Sequence, residues 1–388
     1  MSKPIKALSV FGTRPEAVKM CPLVKAMEGD PRFTGAVCVT GQHRQMLDQA
    51  LKAFGVRPDH DLNLMRAGQT PSGITAGVLG SLDPVLDAEQ PDIVLVHGDT
   101  STSFAAALAA FYRQIPVGHV EAGLRSGNKR SPFPEEMNRR LTGQIADLHF
   151  APTQSNADNL RREGIAHGIF VTGNTVIDAL YALVRPDYAF EADALRSIRL
   201  EGKRTLLLTA HRRENLGRPM ANIFAAVTKL VELYGDVQVI YPAHLNPAVR
   251  AHAFEALGNR PRIHLIDPLE VQDMHNLMAR CHLVLTDSGG LQEEAPALGK
   301  PVLVLRTETE RPEAVEMGTV RLAGVETEGI LREAQTLLDD SSAYDAMANA
   351  VNPYGDGHAA ERICDAIAAA MDNGELRIRS YDQLSSFP

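Results

Sequence analysis

Three acidic residues in the first half of the chain stand where they could move protons. Asp99 and Glu121 follow short apolar runs that are typical of strands, and Glu135 begins a helical pattern. Carboxylates gathered at one edge of a sheet raise one another's pKa, which suits general acid and base catalysis. A helix cap or a surface ion pair is the usual role of a single such acid, so the prediction depends on the three occurring together.

A histidine and a glycine-rich turn mark the second half. His211 directly follows a predicted strand, and the run 288–290 (Ser-Gly-Gly) lies between another predicted strand and a helix. Glycines let a backbone approach a ligand, and the free N–H groups of a helix start attract anions. The turn alone predicts a phosphate site or a tight strand-to-helix connection equally well. Arg311 favours the phosphate site, because a guanidinium matches phosphate oxygens.

Other familiar sites are not indicated. No GxGxxG motif follows the first predicted strand, and no GxxxxGK[ST] motif occurs, which argues against a nicotinamide dehydrogenase and a P-loop NTPase. The histidines do not occur in the HExxH spacing of a helical zinc site, so no metal is predicted.

The elements that must position these residues alternate along the chain. Buried strands are predicted at 5–11, 36–40, 92–97, 117–120 and 148–150, and again at 205–208, 237–241, 263–266, 283–286 and 302–305, with helices between them. Continuously apolar strands separated by helices predict parallel sheets covered on both faces. We therefore expect two Rossmann-like, doubly wound α/β domains, at about 1–180 and 200–371. Ligands bind at the carboxyl ends of such strands, so a cleft between the domains is expected.

Composition limits the function further. A chain of 388 residues exceeds the usual size of one core, which supports two domains. The net charge of −9 argues against a protein that coats nucleic acid or an anionic membrane. No apolar run approaches the roughly 20 residues of a membrane span, no signal peptide is indicated, and the four cysteines are far apart. A cytoplasmic protein with reduced thiols and a soluble substrate is expected.

Several long motifs resemble one family, the non-hydrolysing UDP-N-acetylglucosamine 2-epimerases. They are FGTRPE at 11–16, HGDT at 97–100, HVEAGLR at 119–125, PEEMNR at 134–139, TGNTVID at 172–178, TAHRREN at 209–215, TDSGGLQEEAP at 286–296 and TERPE at 309–313. The resemblance implies a GT-B-like fold, a homodimer, no cofactor, and a last helix at about 372–388 that packs on the first domain. It also implies reversible conversion of UDP-N-acetylglucosamine to UDP-N-acetylmannosamine for polysaccharide biosynthesis.

The implied reaction eliminates UDP, forms a glycal and adds UDP back after reprotonation from the other face. The hydrogen at carbon 2 is not acidic, and breaking the anomeric bond first builds the oxocarbenium character that acidifies it, as in glycoside hydrolysis. By resemblance, Asp99, Glu121 and Glu135 supply the acid and base functions, with the sugar faces unassigned. His211 would stabilise or protonate the departing UDP.

The resemblance also implies a set of substrate and UDP-binding residues: Arg14, Lys19, Arg139, His244, Met274, Ser288, Gly289, Gly290, Glu294 and Arg311. Met274 stands where several relatives carry an aromatic residue that stacks on uracil, and a thioether covers a base face less well. Gln42, His43 and Gln45 resemble the part of some bacterial members that binds an activating second substrate molecule.

Three other functions share part of this pattern. A hydrolysing epimerase would use the same acids and release N-acetylmannosamine and UDP; the chain carries no kinase extension, which favours the non-hydrolysing type. A GT-B glycosyltransferase has no use for three proton-handling carboxylates. A nucleotide-sugar sensor would keep Arg14 and the 288–290 turn but has little reason to hold the acids together.

Overall fold

The computed structural model describes residues 3–41, 44–64, 66, 68–372 and 374–377, except for the side chains of Arg44, Gln45, Arg213 and Ala248. The chain forms two compact units. One contains the described residues up to Ala182 together with those from Tyr354 onward, and the other runs from Leu183 to Pro353.

A seven-stranded sheet forms the centre of the first unit. Its strands are β1 (Ile5–Phe11), β2 (Phe33–Val39), β3 (His60–Asp61), β4 (Ile93–His97), β5 (Val117–Val120), β6 (Leu148–Ala151) and β7 (Ile169–Val171). They pair in parallel in the order β3-β2-β1-β4-β5-β6-β7. The order changes direction between β1 and β4, so the loops after these two strands diverge and leave a crevice, where ligands of such sheets bind.

Helices connect these strands. They are α1 (Arg14–Glu28), α2 (Arg44–Phe54), α3 (Pro71–Glu89), α4 (Ser101–Tyr112), α5 (Glu135–Ile145), α6 (Gln154–Arg162) and α7 (Thr175–Leu183). The two helices that follow β1 and β4 begin at threonine caps. Thr13 accepts the N–H of Glu16 at 3.4 Å, and Thr100 accepts the N–H of Ser103 at 3.1 Å. Each cap satisfies a free donor of the first helical turn, and so defines where the preceding loop ends.

The second unit repeats the arrangement. Its strands are β8 (Arg204–Thr209), β9 (Val237–Pro242), β10 (Ile263–Ile266), β11 (Leu283–Thr286), β12 (Val302–Val304) and β13 (Val320–Leu322). They are parallel in the order β10-β9-β8-β11-β12-β13. Its helices are α8 (Asp193–Arg196), α9 (Arg218–Leu233), α10 (Pro247–Leu257), α11 (Val271–Arg280), α12 (Leu291–Ala297), α13 (Pro312–Glu316), α14 (Thr327–Asp339) and α15 (Ser341–Ala348). The predicted fold of two doubly wound domains is confirmed.

The chain then returns to the first unit. Helix α16 (Ala359–Ala370) packs on α1, and the carboxylate of Asp178 accepts the N–H groups of Ala359 and Ala360 at its start, at 3.2 and 2.8 Å. The prediction had assigned residues to 371 to the second domain; the apolar face of α16 and this cap place the return earlier, at Tyr354.

The end of the described chain also differs from the expected helix at 372–388. Strands β14 (Met371–Asp372) and β15 (Glu375–Leu376) form a short antiparallel pair instead. Residues 378–388 lie outside the described residues. No helix in the described part of the chain combines the length and apolar character needed to cross a membrane.

Candidate active site

The first unit brings two of the predicted acids to neighbouring strand ends. Asp99 follows β4 and Glu121 follows β5, and β4 and β5 pair directly. Glu121 adopts a left-handed backbone conformation with φ of 60°, which is uncommon for a residue with a side chain. Such conformations persist where surrounding contacts hold them and are found at functional sites.

Glu121 is buried and its carboxylate has several partners. Lys19 forms an ion pair with Oε2, and Asn174 Nδ2 donates to the same oxygen at 3.0 Å. Arg139 lies 3.4 Å from Oε1 and also donates to the Glu121 backbone carbonyl. The ring of His97 lies on the same side, with Nε2 3.8 Å from Oε2. Glu121 is therefore the centre of a buried, charged cluster.

Arg139 links this carboxylate to the second acid. Its guanidinium bonds Asp99 Oδ2 at 2.5 Å while it contacts Glu121. Asn138, the preceding residue of α5, donates to the Asp99 carbonyl at 3.0 Å and so holds the loop after β4. Asp99, Glu121, Lys19, Arg139 and Asn174 are called the carboxylate cluster below.

The charge state of the cluster differs from the prediction of mutually raised pKa values. Burial alone raises the pKa of Glu121, but the positive charges of Lys19 and Arg139 outweigh it and hold that pKa well below its ordinary value. Burial, opposed by Glu121 but reinforced by Lys19, lowers the pKa of His97 to about 4. At neutral pH the site therefore contains an ionised carboxylate beside an uncharged imidazole, an arrangement in which Glu121 can accept a proton.

Glu135 and Arg14 do not join this network. Glu135 is the first residue of α5, and Arg14 is the first residue of α1. Both are half-buried, and neither side chain makes a hydrogen bond or an ion pair with another described residue. Both side chains thus keep their polar groups available to a ligand.

Glu16 was not among the predicted site residues, although it organises the same edge of the sheet. Its buried carboxylate accepts the N–H groups of Gly12 and Thr13 at 3.0 and 2.7 Å, and the hydroxyls of Thr100 and Ser103 at 2.7 and 2.9 Å. Burial raises the pKa of Glu16, and these hydrogen bonds oppose the shift. Glu16 ties the loop after β1 to the loop after β4. The capping-box pattern of Thr13 and Glu16 was the available signal.

In the second unit, His211 and the 288–290 turn follow the adjacent strands β8 and β11. The order of this sheet changes direction at the same pair of strands. Asp287 is fully buried between them; its Oδ2 accepts the N–H groups of His211 and Arg212 at 2.8 Å each and Asn215 Nδ2 at 3.0 Å. Its other oxygen lies 3.4 Å from His211 Nδ1.

The His211 ring stacks on the ring of the exposed His244, with centroids 5.3 Å apart and planes inclined by 15°. Burial lowers the pKa of His211, and the carboxylate of Asp287 opposes that shift. Asp287 and His244 contact the His211 ring and orient it. About one-third of the side chain remains exposed. Asp287 belongs to the motif at 286–296, but the sequence alone does not indicate this role.

The glycine turn lies between two guanidinium groups. A Cβ atom on Gly289 would stand 3.8 Å from Arg212 Nη2 and 3.9 Å from Arg311 Nη2. Arg311 is fixed by an ion pair with the buried Glu293. Gln292 connects the turn to the loop of Arg311, because it donates to the Ser288 carbonyl at 3.1 Å and accepts from the Thr309 hydroxyl at 2.5 Å. Gly290 caps α12, and the turn combines backbone donors with positive charge, which suits phosphate oxygens.

Two further predicted residues lie on either side of this turn in sequence. Glu294, on α12, contacts the buried ring of His275 on α11, with Oε2 3.3 Å from Nε2. Met274 precedes His275 on the same helix and is half-buried. Gln42 and His43 lie outside the described residues, and nothing is described of the Gln45 side chain. The described residues contain no group of three or more His, Cys, Asp or Glu that could hold a metal ion.

Known proteins share both the sequence and the fold. The family model for UDP-N-acetylglucosamine 2-epimerase matches residues 25–368. The UDP-N-acetylglucosamine 2-epimerase of Bacillus subtilis (strain 168) is 57% identical over 365 residues, which cover 94% of this chain and 95% of that protein. The Escherichia coli (strain K12) enzyme of the same name is 52% identical over 371 residues, 94% of this chain and 98% of that protein.

This chain belongs to the UDP-N-acetylglucosamine 2-epimerase family.

A solved structure of this family gives the same result for the fold. The UDP-GlcNAc 2-epimerase from Neisseria meningitidis, bound to UDP-GlcNAc, is 45% identical and matches with a TM-score of 0.83 over 94% of this chain and 100% of that one. The match covers nearly all of both chains, so the epimerase fold extends over both units.

Proposed function

We propose that this chain interconverts UDP-N-acetylglucosamine and UDP-N-acetylmannosamine by a non-hydrolysing mechanism and without a cofactor. The observation that carries the proposal is the buried carboxylate of Glu121, held ionised by Lys19 and Arg139 at the carboxyl end of a parallel sheet. An ionised, buried carboxylate is available as a base for the carbon 2 proton, which becomes acidic as the anomeric bond breaks. The bound UDP-GlcNAc of the Neisseria relative supports the substrate.

In the proposed reaction, the bond between anomeric carbon 1 and the UDP oxygen breaks, and its electron pair leaves with UDP. The carbon 2 proton passes to a carboxylate of the cluster, and the released electrons form the double bond of 2-acetamidoglucal. Reprotonation of carbon 2 from the opposite face and return of the UDP oxygen to carbon 1 complete the inversion. No oxidant or water is consumed, so the cycle is reversible and redox-neutral.

The second unit would bind the nucleotide. The backbone N–H groups of Gly289 and Gly290, with Arg212 and Arg311 beside Gly289, suit the pyrophosphate. His211, oriented by Asp287, would stabilise or protonate the departing phosphate oxygen. Glu294 would accept hydrogen bonds from the ribose hydroxyls.

The first unit would act on the sugar. Glu121 and Asp99 share Arg139, so their carboxylates are held at fixed positions. Glu135 and Arg14, which have no partner among the described residues, would engage the substrate directly. In this proposal Lys19 acts mainly on Glu121 rather than on the nucleotide, because its ammonium group is already paired with that carboxylate.

Proton NMR in deuterated water tests the proposal. Purified protein is incubated with UDP-N-acetylglucosamine and no added cofactor, and Glu121→Gln is the matched control. We expect UDP-N-acetylmannosamine with deuterium at carbon 2 from the wild type, and a loss of about 10²-fold or more in the variant. Free N-acetylmannosamine with UDP as the main products would instead establish the hydrolysing reaction. No exchange and no product would overturn the proposal.

The proposal includes a homodimer in the cytoplasm, as the family resemblance implies. Sedimentation equilibrium at micromolar concentration measures the mass of the assembly and so tests the homodimer directly. A single species at the mass of one chain, 42.1 kDa, would remove the dimer from the proposal without affecting the chemistry.

A further inference from the structure

Asn174 immediately precedes helix α7 and is almost fully buried. Its side-chain Oδ1 accepts the N–H of Val176 at 3.2 Å, the bond of a helix cap. Because Oδ1 is engaged as an acceptor, the other end of the amide is Nδ2, a donor. Nδ2 donates to Glu121 Oε2 at 3.0 Å. The cap thus determines which way the amide faces and which group it offers to the carboxylate.

The returning chain holds Asn174 from its other side. The Asn174 backbone N–H donates to the carbonyl of Tyr354 at 2.7 Å. The two glycines beside these residues let the backbones meet: a Cβ on Gly355 would lie 3.3 Å from the Gly173 Cα. A segment 180 positions later in the chain therefore supports the residue that touches Glu121.

The contacts to Glu121 are unequal between its two oxygens. Oε2 has the ammonium of Lys19 and the amide of Asn174 as close partners. Oε1 has the longer 3.4 Å approach of Arg139, and it faces Gly98, where a side-chain Cβ would be 3.6 Å away. Gly98 adopts φ of 68°, so a glycine is favoured there, and its lack of a side chain leaves space beside Oε1.

Resting on the acid and base role proposed for Glu121, we propose that Asn174 is a positioning residue of the epimerase reaction. Asn174 and Lys19 hold Oε2, and this leaves Oε1 as the oxygen that exchanges the proton of carbon 2. Asn174 does not touch the reacting atoms in this scheme; it acts through Glu121. Its second role, as the cap of α7, must be separated from this one by experiment.

Two substitutions separate the roles. Asn174→Asp and Asn174→Ser both keep a good helix cap, because Asp and Ser are as favourable as Asn at that position. Asn174→Asp replaces the donor by a second carboxylate against Oε2, whereas Asn174→Ser is too short to reach it. Asn222 is a matched control: its Nδ2 donates to Glu326 Oε2 at 3.0 Å in the second unit, and Asn222→Asp introduces the same charge there.

We expect kcat to fall by about 10²-fold in Asn174→Asp and about 10-fold in Asn174→Ser, with KM within about twofold, because a misplaced or uncharged base slows the chemical step.

The charged and titratable groups facing Glu121 are Lys19 on α1, His97 at the end of β4 and Arg139 on α5, with Asp99 behind Arg139. A new negative charge among them favours protonated Glu121, so the acid limb of the kcat profile should move to higher pH in Asn174→Asp alone.

A capping role alone predicts that both Asn174 variants behave like the wild type and like Asn222→Asp, in rate and in pH profile. That result, with an active wild type, would overturn this inference and leave the proposed function intact. A wild type that neither exchanges deuterium nor epimerises would overturn the proposed function first, and this inference with it. Thermal unfolding of each variant identifies a folding defect. If Asn174→Asp does not fold, the kcat of Asn174→Ser distinguishes the positioning role from a capping role alone.

Discussion

The carboxylate of Asp287 contacts His211 at two points, accepting its backbone N–H at 2.8 Å with Oδ2 and lying 3.4 Å from its ring Nδ1 with Oδ1. The second contact places ring Nδ1, rather than Nε2, beside the carboxylate. Asp287 is fully buried and Oδ2 also accepts from Arg212 and Asn215. The residue thus orients the ring and the loop that carries it.

Replacing Asp287 by Asn tests this relationship. The amide oxygen can retain the bonds made to Oδ2, but its NH₂ group then faces Nδ1 and favours the other imidazole tautomer. We expect kcat to fall by about 10²–10⁴-fold with the fold retained, since a wrong tautomer has an effect of that size in other enzymes. Steady-state kinetics with thermal unfolding measures both quantities.

Asp287→Ala provides the contrast, because it leaves three donors without their acceptor and should also lower the unfolding temperature. An Asp287→Asn variant with near-wild-type kcat would show that the orientation of His211 is unimportant for turnover.

Lys19→Met should move the acid limb of the activity profile. Lys19 is the main positive partner of Glu121, and without it burial raises the pKa of that carboxyl. The wild type keeps Glu121 ionised throughout the neutral range; the variant should lose activity as the pH falls from neutral towards acid. Removing one partner of a buried pair should also destabilise the fold by about 3 kcal/mol. Measuring kcat from pH 5 to 9 tests the prediction.

Lys25→Met is the matched control on the same helix. Lys25 pairs with Glu28 on the surface, where both side chains are about half exposed, so the pair should contribute little. If both lysine variants gave the wild-type pH profile, Lys19 would not determine the ionisation of Glu121.

His149 should make the fold sensitive to acid. Burial lowers its pKa to about 4, against about 6.5 in an unfolded chain. A histidine with a depressed pKa stabilises the fold fully above pH 6.5, and that contribution is lost as the pH falls towards 4, because the unfolded state binds the proton more tightly. At pH 5 the loss should be roughly 2 kcal/mol.

The variant His149→Gln cannot take up the proton. Urea unfolding of both proteins at pH 7 and pH 5 should show the wild type losing roughly 2 kcal/mol more than the variant between the two values. Equal losses would contradict a neutral, buried His149.

Gly12→Ala should destabilise the loop after β1. A Cβ at this position would lie 2.0 Å from Thr40 Oγ1, which is itself 3.2 Å from the Thr102 hydroxyl. Overpacking of this kind costs about 1–3 kcal/mol. The matched change Gly80→Ala lies in helix α3 and meets nothing within 4 Å, so it should stabilise by about 0.5–1 kcal/mol. Chemical unfolding compares the two, and a neutral Gly12→Ala would be incompatible with the observed contact.

Sequence patterns were sufficient to locate the strands that carry Asp99, Glu121 and His211, because continuous apolar runs identify buried parallel strands. They missed β3, β7 and β13, which have only two or three residues and lie at or near sheet edges. Runs that short contain too little periodicity to distinguish a strand from a loop.

The contacts within the site were harder to predict than its location. Asn174 is 53 positions from Glu121 in sequence, and its motif is that of an ordinary helix cap. Glu135 was expected to join the other acids, yet Arg139, one turn later on the same helix, makes that connection. Which side chain points inwards depends on loop conformations such as the left-handed backbone of Glu121, and apolar patterning does not encode these.

The late return of the chain has a consequence for synthesis on the ribosome. The residues of the second unit are contiguous, so that unit can fold as soon as it emerges, whereas the first still lacks Tyr354 and helix α16. Until then the face of α1 that receives α16 stays exposed, and Asn174 has no carbonyl from Tyr354 to bind. The polypeptide that carries the proposed base is therefore translated before the second unit but acquires its final support only after that unit has been made.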